Sequence, residues 1–214
     1  LSAAGLASLL VSAALILTQR DYKRLLAYSS IEHMGVLALG AAVSGPIAIG
    51  AVLLHILGHG LAKSTLFVLA GRLLRAERSS TISDIRGLLV RRRGMAGAPS
   101  DVRRPSIAVP WLFGMAALVG LPPSGLFFTE VAIIVAGFDR GLGWVMVAAL
   151  GLLLLAFTGL ARHTLAMTLN GPGAEASGPV GPAPGRQAEE WGGSMIPVVL
   201  SLVLVAGIGF AAWP

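Results

Sequence analysis

The chain has 214 residues, 55% hydrophobic and only 12% charged, with a mean hydropathy of +0.81, a balance that excludes an ordinary soluble domain. Separated apolar runs of about 20 residues match spanning helices, which rise about 1.5 Å per residue across about 30 Å of hydrocarbon, and the short alternating segments of a barrel are missing. The formal charge of +6 sits at helix ends and in one connecting loop, as positive-inside topology requires and nucleic-acid binding does not; with no cysteine, no disulfide, iron-sulfur cluster or thiolate metal site is expected, and no cofactor.

The chain begins at Leu1, inside an apolar run, without an initiator methionine or a charged signal-type start. It reads as the C-terminal part of a longer polypeptide. A first helix over Ser2–Thr18 contains nothing ionisable and serves as scaffold. The turn Gln19-Arg20-Asp21-Tyr22-Lys23-Arg24 that follows carries excess positive charge, which places it on the cytoplasmic side.

A second helix over Tyr22–Val43 carries Ser29, Ser30, Glu32 and His33 near its midpoint. Neighbouring residues on a helix point about 100° apart, so Glu32 and His33 are expected to meet different neighbours. The uncharged turn Ser44-Gly45-Pro46 leads into a third helix over Pro46–Arg75. Within it His55, His59 and Lys63 are spaced four apart, and side chains at that spacing climb one side of a helix in steps of roughly 6 Å. The other sides hold Leu, Ile, Val, Phe and Ala, so this ladder of proton-binding groups is buried at membrane depth. Ionisable groups cost several kcal/mol there and persist where an ion, substrate or proton needs them.

Residues 76–105 form the one long polar stretch between spans, on the same side as Lys23 and Arg24. A short interfacial helix is expected over 81–90, and the Arg91-Arg92-Arg93 run acts as a topology determinant. In the segment 105–138, Gly120, Pro122, Pro123 and Gly125 interrupt an apolar run, removing amide donors and leaving carbonyls of the preceding turn unpaired. Each side of the break is too short to span, so one discontinuous helix crosses once and marks a hydrated pathway. Glu130 lies less than two turns beyond the break. A helix over 142–169 ends with Arg162 and His163, taken as interfacial anchors. The chain thus divides into a transmembrane domain, 1–170, a flexible polar linker, 171–193, and a C-terminal transmembrane helix, 194–214.

The buried ionisable set is Glu32, His33, His55, His59, Lys63 and Glu130. Histidine titrates near neutrality. Two unit charges about 8 Å apart interact by about 2 kcal/mol at an effective dielectric near 20, enough for a charge arriving on one group to drive a proton off the next. The set therefore suits proton transport without covalent chemistry.

The motifs Asp21-Tyr22-Lys23-Arg24-Leu25-Leu26-Ala27-Tyr28-Ser29-Ser30-Ile31-Glu32-His33-Met34-Gly35, His55 to His59 to Lys63, and Gly120-Leu121-Pro122-Pro123-Ser124-Gly125 to Glu130 resemble the second half of the antiporter-like membrane subunits of respiratory complex I, Mrp antiporters and group 4 nickel–iron hydrogenases. Glu32-His33-Met34-Gly35 most resembles component F of hydrogenase-4. The resemblance implies an all-α polytopic bundle, the second half of an inverted-repeat fold, multi-pass in the inner (plasma) membrane. It implies a central proton chain matched by His33, His59, Lys63 and Glu130. It also implies other membrane subunits of a hydrogenase or NADH:quinone oxidoreductase assembly as partners, with no redox centre in this chain. The alternatives are a sodium/proton antiporter subunit and a non-conducting scaffold that anchors a redox module.

Overall fold

A computed structural model of the protein describes residues 1–85, 88, 104–169 and 196–211. Among these the chain forms seven helices: α1 (Ser2–Thr18), α2 (Tyr22–Val43), α3 (Pro46–Glu77), α4 (Arg104–Leu118), α5 (Gly125–Asp139), α6 (Gly143–Thr168) and α7 (Ile196–Ala211). Three of them, α2, α3 and α6, are long and apolar enough to cross a membrane on their own. The bounds of α1 and α2 coincide with the sequence expectation. The expected linker, 171–193, and the Arg91-Arg92-Arg93 run lie outside the described residues.

Local chemistry sets the helix ends. Asp21 caps α2, its carboxylate accepting from the amides of Lys23 at 2.8 Å and Arg24 at 3.1 Å. Pro46 opens α3, where its missing amide costs nothing. Ser124 caps α5 by accepting from the Phe127 amide.

The longest helix, α3, packs against α2, α4, α5 and α7, while α1 lies between α2 and α6. The α1–α2 crossing is close because Gly5 faces Gly35: a Cβ on either would lie 3.0 Å from the other's carbonyl oxygen. α4 and α5 follow α3 in the opposite direction along its length. Gly114 sits against Leu66, Leu126 against Gly58, and Thr129 against His55. The two 15-residue pieces, each roughly 22 Å long, thus make one interrupted helix beside α3, as the prolines and glycines predicted. Ala117, Leu126, Ala62 and Val205 pack together around the interruption.

Among the described residues, two larger apolar bodies lie on either side of that small cluster. One gathers Tyr22, Leu25, Leu26, Leu66, Leu69, Leu73, Trp111 and Met115 near the α1–α2 turn. The other gathers Leu9, Val36, Leu39, Val43, Ile133 and Met146. Along both α2 and α3 the ionisable residues fall between these bodies, so the polar groups form a layer at mid-depth. On α3, Leu53, Leu54, Ile56 and Leu57 turn outwards while His55, His59 and Lys63 are buried. A helix that exposes its leucines and hides its charges is arranged for lipid.

One local expectation fails. Residues 81–85 are a bridge and turns rather than the start of a helix, and the remainder of 81–90 is, apart from residue 88, outside the described residues. Thr81 pairs with Asp21 in an isolated antiparallel bridge, in which the Ile82 amide donates to Arg20 at 2.8 Å and the Tyr22 amide to Ser80 at 3.1 Å. Backbone pairing with the α1–α2 turn satisfies groups that a helix would have satisfied internally.

Candidate functional site

The polar layer is assembled from α2, α3, α4 and α5. His33, on α2, is almost fully buried. Its Nδ1 lies 3.0 Å from His55 Nε2 and its Nε2 lies 3.0 Å from the carbonyl oxygen of Leu118. That carbonyl is free for a reason written in the sequence. In a helix Leu118 would accept from the amide four residues on, and that residue is Pro122, which has none. The break in the helix therefore supplies an acceptor, and His33 takes it.

His55 uses its other nitrogen, Nδ1, to reach Thr129 Oγ1 on α5 at 2.8 Å. Glu130, next to Thr129, brings Oε1 to 3.7 Å from His33 Nδ1 and keeps 16% of its side chain exposed. Its other oxygen faces Gly120, where the backbone has φ +74 and a Cβ would lie 2.9 Å away. Only a residue without a side chain lets the carboxylate approach the break so closely.

His59 lies with its ring 4.5 Å from that of His33 and stacked on that of His55 at 6.4 Å between centroids. One turn further along α3, the Lys63 ammonium donates to Ser29 Oγ at 2.6 Å and to the Leu26 carbonyl. It also stands 5.9 Å from the centre of the Phe67 ring, within range of a cation–π contact. Glu32, one residue before His33 on α2, is buried as well. Glu32 Oε2 and His59 Nδ1 are buried without a hydrogen bond to any described protein group.

All six ionisable residues singled out from the sequence thus converge on one region. His33 meets His55, the Leu118 carbonyl and Glu130, whereas Glu32, one residue earlier on α2, shares none of these hydrogen bonds and keeps Oε2 unpaired among the described residues. Sequence reasoning passed over Ser29 and Thr129 as partners. Their signal was a hydroxyl within one turn of an ionisable residue in an apolar span. The donor set is mostly nitrogen. His33, His55 and Glu130 hold ligand-type atoms within 4.8 Å of one another, the one such grouping among the described residues.

Arg162 and His163, expected as interfacial anchors, also reach across to α1. Arg162 Nη2 donates to Leu17 at 2.6 Å and His163 Nε2 to Ile16 at 3.1 Å. Together they cap the last turn of α1, where the Ile16 carbonyl otherwise accepts only a long 3.4 Å bond from the Gln19 amide.

The family model described as NADH:quinone oxidoreductase/Mrp antiporter, TM, matches residues 1–156. A hydrogenase-4 component F homologue from Methylacidiphilum infernorum is 36% identical over 161 residues, covering 72% of this chain and 31% of the relative. NADH-quinone oxidoreductase subunit N from Desulforudis audaxviator is 32% identical over 207 residues, covering 95% of this chain and 38% of the relative. Among solved structures, a chain of the membrane-bound sulfane sulfur reductase, an archaeal respiratory membrane complex, superposes with a TM-score of 0.76 at 22% identity, over 98% of this chain and 38% of that one. A chain of respiratory complex I from Thermus thermophilus superposes with a TM-score of 0.66 at 25% identity, over 97% and 42%. The chain spans about a third of the length of the curated relatives it matches. An interrupted helix beside a buried His-His-Lys ladder, a family match over most of the sequence and relatives above 30% identity lead to one conclusion: this integral membrane chain belongs to the NADH:quinone oxidoreductase/Mrp antiporter family.

Proposed function

We propose that the chain is the proton-conducting part of a multi-subunit membrane complex, driven by a redox partner of the hydrogenase or NADH:quinone oxidoreductase kind, in the plasma membrane. The proton moves along Lys63, His59, His33 and His55 to Glu130, with Glu32 tuning Lys63 by its charge. The observation that carries this reading is the run of short contacts across three helices. Lys63 is held by Ser29 on α2 at 2.6 Å, His33 on α2 meets His55 on α3 at 3.0 Å, and Glu130 on α5 follows at 3.7 Å. The unpaired buried atoms Glu32 Oε2 and His59 Nδ1 favour the same reading, because buried polar groups of this kind are usually served by water, which also carries protons.

Sodium is the weaker reading for the transported ion. A hard cation needs a cage of oxygens. Here the Leu118 carbonyl freed by the break is engaged by His33, and two of the three clustered ligand groups, His33 and His55, offer nitrogen.

The test is proton pumping by the full-length protein in its complex, reconstituted in vesicles, with Lys63→Ala and Glu130→Gln. Both variants should lose pumping by at least about tenfold, since each removes a buried charge-bearing partner worth roughly 1.5–3 kcal/mol. Pumping at the unaltered rate would identify a scaffold. A sodium dependence that is altered in Glu130→Gln would identify the antiporter.

A further inference from the structure

The two facing histidines bring their ring nitrogens to one point. The Leu118 carbonyl only accepts, so His33 Nε2, 3.0 Å away, carries a hydrogen and His33 Nδ1 turns a lone pair towards His55. Thr129 Oγ1, 2.8 Å from His55 Nδ1, serves either tautomer of that ring. When the hydroxyl donates to Nδ1, His55 Nε2 donates to His33 Nδ1 across 3.0 Å. When the hydroxyl turns to the Leu126 carbonyl at 2.8 Å, His55 Nδ1 donates to it instead, and His55 Nε2 and His33 Nδ1 both offer lone pairs to a cation between them. Glu130 Oε1, 3.7 Å from His33 Nδ1, stands where a third ligand to such a cation belongs.

We propose that His33 Nδ1, His55 Nε2 and a carboxylate oxygen of Glu130 form a three-ligand site for a divalent transition ion of the zinc class. The chemistry of the donors suits that class: two neutral imidazoles and one carboxylate, with the fourth position left to water. The spacing suits it as well. Ligand atoms around a tetrahedral ion with bonds of about 2.0–2.2 Å stand roughly 3.4 Å apart, and these three lie within 4.8 Å of one another, so a small swing of the carboxylate closes the set. Each imidazole is already oriented by a hydrogen bond from its far nitrogen, to Leu118 and to Thr129, the arrangement that raises ligand basicity and fixes the ring at metal centres.

The ligands come from α2, α3 and α5, so an occupied site pins the interrupted helix to its two neighbours. If the proton path described above is correct, the ion also blocks it, making this an inhibitory site. Binding itself does not depend on that reading.

The experiment uses the full-length protein in lipid nanodiscs with Co2+ as the probe and Zn2+ as the competitor. The expected result is one Co2+ per chain at this site with the intense visible absorption of a four-coordinate ion, abolished by Zn2+. His55→Gln and Glu130→Gln should each weaken binding by at least about tenfold. His163→Gln, which alters the one other histidine of the four outside the polar layer, should leave it unchanged. X-ray absorption at the zinc edge of the unaltered protein should count two imidazoles, a readout that stands even where a variant does not fold. The weak spectrum of a six-coordinate surface ion, fewer than two imidazoles, or binding that survives His55→Gln would overturn the site. Such a result would leave proton pumping and its loss in Lys63→Ala untouched, so the two proposals fail separately.

Discussion

His33 Nε2 stands 3.0 Å from the carbonyl oxygen of Leu118, and this contact joins the break in one helix to the ionisable groups of two others. It exists because Pro122 cannot supply the amide that would have occupied that carbonyl within a helix. The interruption therefore positions a histidine, and the carboxylate of Glu130 is admitted beside it by the bare backbone of Gly120.

Gly120 gives the sharpest steric test of that arrangement. A methyl group there meets Glu130 Oε2 at 2.9 Å, and φ of +74 is a conformation that side chains resist at roughly 1–2 kcal/mol. Gly120→Ala is expected to lower the unfolding temperature and to reduce proton pumping by displacing Glu130. Gly60→Ala, on α3 where a Cβ meets nothing within 4 Å, should instead be neutral or stabilising by up to about 1 kcal/mol. Thermal unfolding and vesicle pumping of the two variants side by side would expose an error if Gly120→Ala behaved like Gly60→Ala.

The α1 cap makes a prediction of the opposite kind, stability without function. His163→Ala removes a buried donor from Ile16 and should cost about 1–2 kcal/mol. Arg162→Ala removes an exposed donor from Leu17 and should cost less, because water replaces it. Both should pump normally per folded molecule. A loss of pumping at unchanged unfolding temperature would show that these residues belong to the conducting machinery.

Much of this architecture was readable beforehand, and the reason differs from part to part. The bounds of α1 and α2, the His55-His59-Lys63 ladder and the break at 120–125 are local: period, caps and missing amides act within a turn or two. What escaped is the pairing of groups far apart in sequence. The prolines announced free carbonyls near 118, but nothing local says that a histidine 85 residues earlier in the chain would take one. Nothing local says that Arg162 and His163 would also reach the last turn of α1. The residues after Ser80 were expected to start a short interfacial helix, and pairing of their backbone with the α1–α2 turn prevailed.

That pairing involves Asp21, a carboxylate outside the spans. Burial alone would push the Asp21 carboxyl up, but hydrogen bonds from the Ser80 hydroxyl and from the amides of Arg24 and Lys23, helped by the Lys23 charge, hold it below its usual 3.8. A carboxyl depressed in the folded state adds stability above its unfolded value and loses it as the pH falls through the lower folded value. Acidification from about pH 5 downward should therefore loosen the junction between the α1–α2 turn and residues 80–82. Asp21→Asn keeps a capping oxygen and should flatten that acid response, whereas Asp21→Ala should cost about 1 kcal/mol at neutral pH as well. Unfolding temperatures measured against pH for the three proteins decide it, and an equally steep acid slope in Asp21→Asn would refute the assignment.

Thr129 Oγ1 lies 2.8 Å from His55 Nδ1 and is the hydroxyl through which α5 holds that ring. It can accept from Nδ1 while turning its hydrogen to the Leu126 carbonyl at 2.8 Å, or donate to Nδ1 and leave the ring hydrogen on Nε2, facing His33. Thr129→Val has nearly the same shape but offers neither, leaving a buried imidazole nitrogen without its partner at a cost of roughly 1–3 kcal/mol. Thr129→Ser restores the hydroxyl and should restore both stability and pumping, apart from the small loss of a methyl group. The nitrogen resonances of His55 in isotopically labelled protein report the tautomer directly. The same tautomer is expected with Thr or Ser at this position and a change is expected with Val; unchanged resonances together with full pumping in Thr129→Val would show that His55 takes its orientation from elsewhere.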